Sequence, residues 1–362
     1  MTQIQIAPIT TTENWQKLES GWNTLLASSA APSFFLTYEW LRAWEECFLS
    51  SNQRLYILAF YEKQSLVAAA PFYLTRKKAG PLCYNEIKFL GAPQAGSDYL
   101  DVIMKKGREK TVAEACYQYL TGPAAPKWDT LSLTDIFAGS LFLLHFINCI
   151  QQQGQYFKTA PSAFCPAAEI TPDFDTYFAE LSKWRKKKFR QDLRVLYRDH
   201  KAAHLTFEGK PAADHLSAFF DFYNQKSPWP GQGPQKILNK YSALCGENPP
   251  VQLDILEADG KIAAGLLHLR YKKSLYMYQM AVDREFNPRL SLGNLLVGMC
   301  VKNAAEAGYI TYDFLKGHED YKFHWANTGR RTLKLQLWNK RPVSRALALA
   351  NLGKNAGKIV LR

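Results

Sequence analysis

One order of elements runs through this chain twice, and no other feature constrains its fold as strongly. In the first half, residues 4–9 alternate like a strand, a helix opens at Thr12 or Glu13 and runs to about Ser28, and Thr37 caps a second helix, Tyr38–Phe48. Trp40, Trp44 and Phe48 recur at four-residue steps on one face of it. Strands are expected at 54–60 and 66–74 around a Glu62-Lys63-Gln64-Ser65 turn, then at 85–90 and 98–104. A helix at 109–120, a strand at 129–133, a helix at 141–152 and a strand at 156–159 follow. The second half reads strand 204–207, then helices 213–225 and 235–245 flanking the Pro/Gly-rich stretch 227–234. Strands 252–258 and 262–271 surround an Asp259-Gly260 turn, a strong hairpin signal. Strand 275–282, helix 292–307, strand 309–315, a polar segment and strand 333–338 complete the half.

The hairpins of the two halves align: Leu55-Tyr-Ile-Leu…Leu66-Val-Ala-Ala-Ala against Leu253-Asp-Ile-Leu…Ile262-Ala-Ala-Gly. Duplication of one α/β unit explains a chain of 362 residues better than two unrelated domains do. The halves differ at one point. After strand 275–282 comes a long loop, Asp283-Arg-Glu-Phe-Asn-Pro-Arg-Leu-Ser-Leu-Gly-Asn294, leading straight into a helix; the first half has only the turn Lys105-Lys-Gly-Arg-Glu109.

Charge narrows the function classes. The formal charge is +13, from 45 Lys+Arg and 32 Asp+Glu. Residues 183–201 hold nine Lys/Arg against two Asp, and residues 340–362 hold six Lys/Arg and no acid, so these two segments carry the whole excess. The remainder is neutral, which excludes a uniformly basic nucleic-acid coat. Hydrophobic residues make up 47%, which excludes a mainly disordered chain. Residues 1–8 show no secretory signal, and the longest apolar-rich run, 136–150, is too short to span a bilayer. The 7 cysteines include no CxxC pair, so neither a metal site nor a disulfide framework is expected. The expected location is cytoplasmic.

Two segments carry candidate chemistry. In Arg289-Leu-Ser-Leu-Gly-Asn294, a helix N-terminus would offer unpaired N–H groups and a positive dipole end to a phosphate or pyrophosphate. Gly293 would permit close backbone approach, and Arg289 would add charge; equally, Ser291 or Asn294 caps the helix and Gly293 eases a turn. In Asp313-Phe-Leu-Lys-Gly-His-Glu-Asp-Tyr-Lys-Phe-His-Trp325, a strand ends in a cluster of titratable groups, where an α/β sheet gathers its chemistry. Glu319 and His318 could take a proton, Tyr321 could give one to a leaving group, and Lys322 could bind an anion. The alternative is a solvated loop anchored by Tyr321 and Trp325.

The run 276–282, the loop to Gly293, the following helix and Tyr312-Asp-Phe-Leu-Lys-Gly…Tyr321-Lys322…Trp325 resemble the CelD-type (cellulose-biosynthesis-associated) acetyltransferases. These are members of the GNAT-like acyl-CoA N-acyltransferase superfamily and cousins of the FemAB aminoacyltransferases. Pro32-Ser-Phe-Phe-Leu-Thr-Tyr-Glu-Trp40, Ala70-Pro-Phe, Phe89-Leu-Gly91, Ser97-Asp-Tyr-Leu-Asp101 and Leu181-Ser-Lys-Trp-Arg-Lys-Lys-Lys-Phe-Arg190 fit the same pattern, which spans about residues 14–338.

The resemblance implies an α/β (α+β) fold of tandem duplicated GNAT-like mixed sheets flanked by helices. It implies domains at 1–165, degenerate for cofactor, and at 204–340, carrying acetyl-CoA or another acyl-CoA, with a basic linker helix at 166–203 and a basic tail at 341–362. Arg289, Ser291, Leu292, Gly293 and Asn294 would then cradle the CoA pyrophosphate, although only one glycine of the usual GNAT loop pattern is present. Tyr321 would be the acid, Glu319 the base and His318 its alternate. Asp98 and Tyr99, with Lys322, would bind the acceptor in a cleft between the halves. That acceptor is expected to be a small-molecule or carrier-linked amine or hydroxyl, such as an envelope or exopolysaccharide precursor.

The basic segment reads as a helix with Ser182 as N-cap and an apolar stripe of Phe189, Leu193 and Leu196/Tyr197. A solvated linker is its plain reading; an anionic membrane surface at the inner face, or tRNA as in FemAB relatives, are the partner readings. No DNA partner is expected. The tail, with Val343, Leu347, Leu349, Leu352 and Ile359, reads as a weakly amphipathic surface helix, a disordered end, or a segment docked on the core. Two rivals to acyl-CoA transfer therefore stand: aminoacyl-tRNA-dependent peptidyl transfer, and a non-catalytic scaffold docked to an anionic surface.

Overall fold

A computed structural model describes residues 4–170, 173–227 and 231–360, the last with side chains to 352. Residues 1–3 of the N-terminal reading, Pro228-Trp229-Pro230 of the Pro/Gly-rich stretch and the Ile359 side chain of the tail lie outside the described residues.

The chain opens with β1 (Gln5–Ile9), α1 (Thr12–Gln16), α2 (Glu19–Ala27) and α3 (Tyr38–Phe48). Strands β2 (Gln53–Leu55), β3 (Ile57–Glu62), β4 (Ser65–Ala70), β5 (Phe72–Ala79), β6 (Leu82–Phe89) and β7 (Ile103–Met104) follow, then α4 (Glu109–Thr121), β8 (Thr130–Phe137), α5 (Leu141–Gln152) and β9 (Phe157–Glu169). Next come α6 (Phe174–Glu180), α7 (Lys183–Asp199), β10 (Ala202–Glu208), α8 (Lys210–Asp214), α9 (Leu216–Lys226) and α10 (Gly233–Cys245). The chain ends with β11 (Val251–Ala258), β12 (Lys261–Tyr271), β13 (Ser274–Val282), α11 (Leu292–Glu306), β14 (Thr311–Asp313), α12 (Asp320–Trp325), β15 (Thr328–Trp338) and α13 (Pro342–Val360).

Two compact units result, Met1–Ser162 with Arg331–Arg362, and Ala163–Arg330. The first sets β1, β3, β4 and β7 side by side, all antiparallel. It also carries an extra hairpin, β5–β6, with β2 on one side and β8 parallel to β6 on the other. Its core is built on Trp15, Trp22, Trp40 and Trp44, all fully buried. The second unit sets β10, β11, β12 and β13 in the same antiparallel order, followed by β14 parallel to β13. Its core joins Leu295, Leu296, Val297 and Val301 of α11 to Leu266 and Leu275 of the sheet, and to Tyr177, Phe189 and Trp325. Burying such side chains contributes about 1.5–3 kcal/mol each.

The register supports duplication, but it sets Ile57 rather than Leu55 against Leu253, so the first strand of the sequence alignment shifts by two residues. The β3–β4 hairpin is bulged between Phe60 and Tyr61, and the β11–β12 hairpin between Leu256 and Glu257. Matching the bulges puts Leu58 opposite Asp254 in the comparison. Pro8, paired with Leu58, then matches Thr206, and Ile6 matches His204. The second unit thus carries a buried polar cluster where the first is apolar. Asp254, fully buried, accepts from Thr206 at 2.7 Å and Gln252 at 2.8 Å, and lies 2.9 Å from His204 and 3.1 Å from His268. Burial opposes ionisation of Asp254, but the hydrogen bonds from His204 and His268 outweigh it and hold the carboxyl far below its usual range.

Several elements depart from the sequence reading. The helix expected over 12–28 breaks at Lys17-Leu18, which brings Trp15 and Trp22 together in the core with ring centroids 5.7 Å apart. The strand expected at 98–104 is reduced to Ile103–Met104, because Tyr99 adopts a left-handed backbone with φ 55°. The polar segment after strand 309–315 contains a helix, α12, and the strand itself shortens to Thr311–Asp313. Ser182 does cap α7, accepting from the Arg185 N–H at 3.3 Å. Yet the basic helix lies inside the second unit and packs Phe189 and Leu196 into its core. The segment from Arg331 on, α13 included, belongs to the first unit, where Lys158 Nζ donates to Asn351 at 2.8 Å. Among the described residues, no helix is long and apolar enough to cross a membrane.

Candidate functional site

The site is built where β13 outruns its neighbour. β14 pairs with β13 only through Ser274, Leu275 and Tyr276, while β13 continues to Val282 along β12. β13 is bulged on that second side, since Leu267 pairs with Gln279 but His268 with Met277. A cavity of about 300 Å³ lies beside the far end of β13, lined by Met280, Val282, Asp283, Arg284, Pro288 and Leu290. Ser291, Leu292, Gly293, Asn294 and Tyr321 complete its wall.

Four of the five residues expected to hold an anion, Ser291 to Asn294, therefore line one cavity. Arg289 is exposed and off the wall; Arg284, which the spacing did not single out, supplies the wall's guanidinium instead. The start of α11 is bare. Ser291 makes no side-chain cap bond, and the first turn holds no acidic residue. The positive end of a 15-residue helix is thus neutralised by neither a cap bond nor a first-turn acid. Gly293 serves packing too: a Cβ there would sit 3.1 Å from Val282 Cγ2 and 3.4 Å from Met280 Sδ.

Asn294 spends its side chain elsewhere. Its Oδ1 accepts from Arg185 Nη1 and from Trp325 Nε1, both at 3.3 Å, and so ties α7 and α12 to the start of α11. Trp325 also meets Phe189 edge-on at 5.4 Å, and both rings press on Gly298, where a Cβ would lie 2.4 Å from each.

Tyr321 is half-buried on the wall. Burial, and secondarily the Glu319 charge, push its phenol well above the usual value, so it stays protonated at all ordinary pH. A phenol held protonated suits a proton donor. The other expected groups lie off the wall. His318 is exposed. Glu319 is exposed and pairs with Lys322, Oε2 to Nζ at 3.1 Å. Lys322 is buried and also donates to the Lys316 carbonyl at 2.8 Å. That fold-back depends on Gly317, at φ 148°, where a Cβ would fall 2.0 Å from Glu319 Oε2. Asp283 is the carboxylate on the wall, and it pairs with Lys226 at 3.0 Å.

Asp98 and Tyr99 belong to the first unit, both buried, with the Tyr99 ring edge-on to Phe137 at 6.4 Å. Asp101, beside them, was not singled out. Burial pushes its carboxyl up to about 7 against the hydrogen bonds of Ser140 and the Val102 N–H.

Residues 183–323 match the family described as "Acetyltransferase (GNAT) domain", a span running from the first residue of α7 into α12. No curated protein matches the sequence. Among solved structures, the fold is similar to that of FemX, at 12% identity and a TM-score of 0.61 over 94% of this chain and 99% of that one. It is also similar to a conserved protein of unknown function from Bacteroides thetaiotaomicron (12% identity, TM-score 0.53, 92% and 100% covered). A third likeness is to the C-terminal domain of a putative lysylphosphatidylglycerol synthetase from Agrobacterium fabrum (12% identity, TM-score 0.52, 94% and 96% covered). At such identity the likeness is one of fold.

Proposed function

We propose that this chain is an acyltransferase that moves an acyl group, acetyl by resemblance to the CelD type, from CoA to an amine or hydroxyl of an envelope or exopolysaccharide precursor. The observation that carries the reading is the uncapped, acid-free start of α11 opening into the cavity that Tyr321 also lines, within the span matching the GNAT family. The wall fits the donor: N–H groups and Arg284 for the diphosphate, and Met280, Val282 and Leu290 for the pantetheine arm. Acyl-CoA would supply a thioester, whose C–S bond breaks as a neutral amine attacks the carbonyl and the CoA thiol leaves.

The protein's share is positioning and charge. The edge of β13 beyond its ladder with β14 would orient the thioester, and Tyr321 would give its proton to the departing sulfur. Burial opposes ionisation of Asp283, but the hydrogen bond from Lys226 outweighs it and makes the wall's carboxylate a weak base, so the acceptor would enter unprotonated, with its proton leaving through water. Titration calorimetry of the full chain with acetyl-CoA, longer acyl-CoAs and free CoA tests the reading. Heat with acyl-CoA is expected; none with any of the three, in folded protein, overturns it.

A second reading has its own observation. Lys183, Lys187, Arg190, Arg194 and Arg198 form an exposed stripe on α7, suited to a polyanion such as tRNA or an anionic membrane at the inner face of the cell. Filter binding of tRNA over a salt series separates it from acyl-CoA transfer. A steep salt slope that Lys187→Gln, Arg190→Gln and Arg194→Gln together flatten would favour the aminoacyl-tRNA-dependent reaction.

A further inference from the structure

A second cavity of the same unit carries an unbalanced charge. It measures about 220 Å³ and is lined by α6, the turn into α7, and α12, with Glu180, Ser182, Arg185, Phe323 and His324 on its wall. Arg185 is 4% exposed. Its backbone N–H reaches Ser182, its Nη1 reaches the neutral amide of Asn294, and its guanidinium lies 4.9 Å from the Trp184 ring. No described carboxylate forms an ion pair with it, and its buried Nε has no hydrogen-bond partner among the described residues. The buried Nδ1 of His324, on the same wall, has none either. Burial pulls the guanidinium down to about 10, which still leaves it charged at neutral pH.

A buried cation without a counter-ion costs several kcal/mol, and two orphaned ring and guanidinium nitrogens on one wall add to that cost. Folded proteins keep such arrangements where a ligand completes them. We propose that this cavity is an oxyanion site, in which the Arg185 guanidinium and the His324 Nδ1–H hold a carboxyl or phosphoryl group of a small molecule. The fork of an arginine matches either group in paired hydrogen bonds. The volume lies below the roughly 300–1,000 Å³ of sites that enclose a whole drug-sized ligand, so it takes the anionic end of a molecule that extends outward. The exposed Glu180 carboxylate on the wall opposes a bound anion and sets its affinity. Because Asn294 touches Arg185 and also lines the α11 cavity, an occupant would sit one side chain from the proposed donor site. The anion site stands on Arg185 and His324 alone, whether or not the α11 cavity takes acyl-CoA.

Calorimetry of the full chain with inorganic phosphate and with sodium acetate, each against chloride at matched ionic strength, tests it and separates the two chemistries. Saturable heat with at least one is expected. Arg185→Lys, which keeps the charge and loses the fork, should weaken it about tenfold; Glu180→Gln should strengthen it. Arg185→Met should abolish it, and should unfold no more readily than the parent, since a buried unpaired charge is removed. Ser291→Asp, which puts a carboxylate at the start of α11 and leaves Arg185 untouched, should keep the heat; its loss there would assign the phosphate to α11 and overturn the proposal. No heat with either anion, or heat undiminished in Arg185→Lys and Arg185→Met, would overturn it as well.

Discussion

The two units run the same strand order and treat its end differently. In the first, β7 is two residues long, and residues 105–108 turn at once into α4, whose first turn carries Glu109; the Glu109 carboxylate also accepts the Gly107 N–H at 3.1 Å. In the second, β13 is nine residues long, residues 283–291 form a loop, and α11 starts with neither cap bond nor acid. The dipole end that one unit neutralises with its own side chain, the other leaves open on a cavity. The helices differ as well: α4 has no glycine, whereas α11 has Gly293 against β13 and Gly298 against Phe189 and Trp325. One copy of the scaffold has its helix start closed by its own carboxylate, and the other has it open on a cavity.

The strongest test of that asymmetry is Tyr321→Phe. If the cavity is catalytic, the turnover number for acyl transfer should fall roughly 10²–10⁴-fold, with acyl-CoA affinity within twofold of the parent by calorimetry. Unchanged turnover would leave the open helix end as a binding device only.

The buried carboxylates come next, because the units give them opposite signs. Asp254 has its folded value depressed, so its contribution is fully present above the unfolded carboxylate value near 4 and is lost as pH falls. Asp254→Asn should cost about 3–5 kcal/mol at pH 7, with the gap narrowing below about pH 4. Asp254→Leu with His204→Ile, the residues the first unit has at Leu58 and Ile6, together with an apolar Thr206→Val in place of its Pro8, should recover part of the loss. Asp101 has its folded value raised to about 7, so the folded state gains from the proton at low pH and loses that gain as pH rises. Asp101→Asn should raise stability above about pH 7 and change little below about pH 4. Urea unfolding across pH 3–9 reads both; equal pH slopes for the two variants would erase the contrast.

Gly298→Ala follows. The added Cβ would collide with Phe189 and Trp325, for about 1–3 kcal/mol of overpacking. Ala115→Gly in α4 should cost only the helical glycine penalty of about 1 kcal/mol. Thermal melts of the pair show whether the close packing belongs to α11 alone.

The sequence made the repetition readable because hairpins are local. The Asp259-Gly260 turn and the alternation on either side fix their register within a few residues, and Ser182 announces α7 by side-chain chemistry alone. Of the candidate site, the α11 start and Tyr321 were readable as a long loop entering a helix and a phenol after a strand end. What stayed hidden depends on long-range packing. Helix α12 spans six residues, too few to show a period. Glu319 and Lys322 read as free until Gly317 folds one onto the other. Charged residues on a basic helix read as solvated, and nothing in the sequence marks Arg185 and Asp192 as the two that are buried. No pattern along α7 shows that Asn294 and Trp325 wait beneath it.

The smallest expected effect cuts closest to the comparison, because it gives the second unit what the first already has. Ser291→Asp supplies a cap and an acid where α11 has neither. Aspartate is among the best N-cap residues and interacts favourably with the helix dipole, so the variant should be about 0.5–1 kcal/mol more stable than the parent. The same carboxylate stands where the CoA diphosphate is proposed to lie, so acyl-CoA affinity should fall at least about tenfold, or 1.4 kcal/mol. Opposite movement of stability and affinity in one variant is the result expected of an end kept bare for an anion. A rise in melting temperature with unchanged acyl-CoA heat would mean that the bare start of α11 is a missed cap, and the donor would have to be sought at another wall.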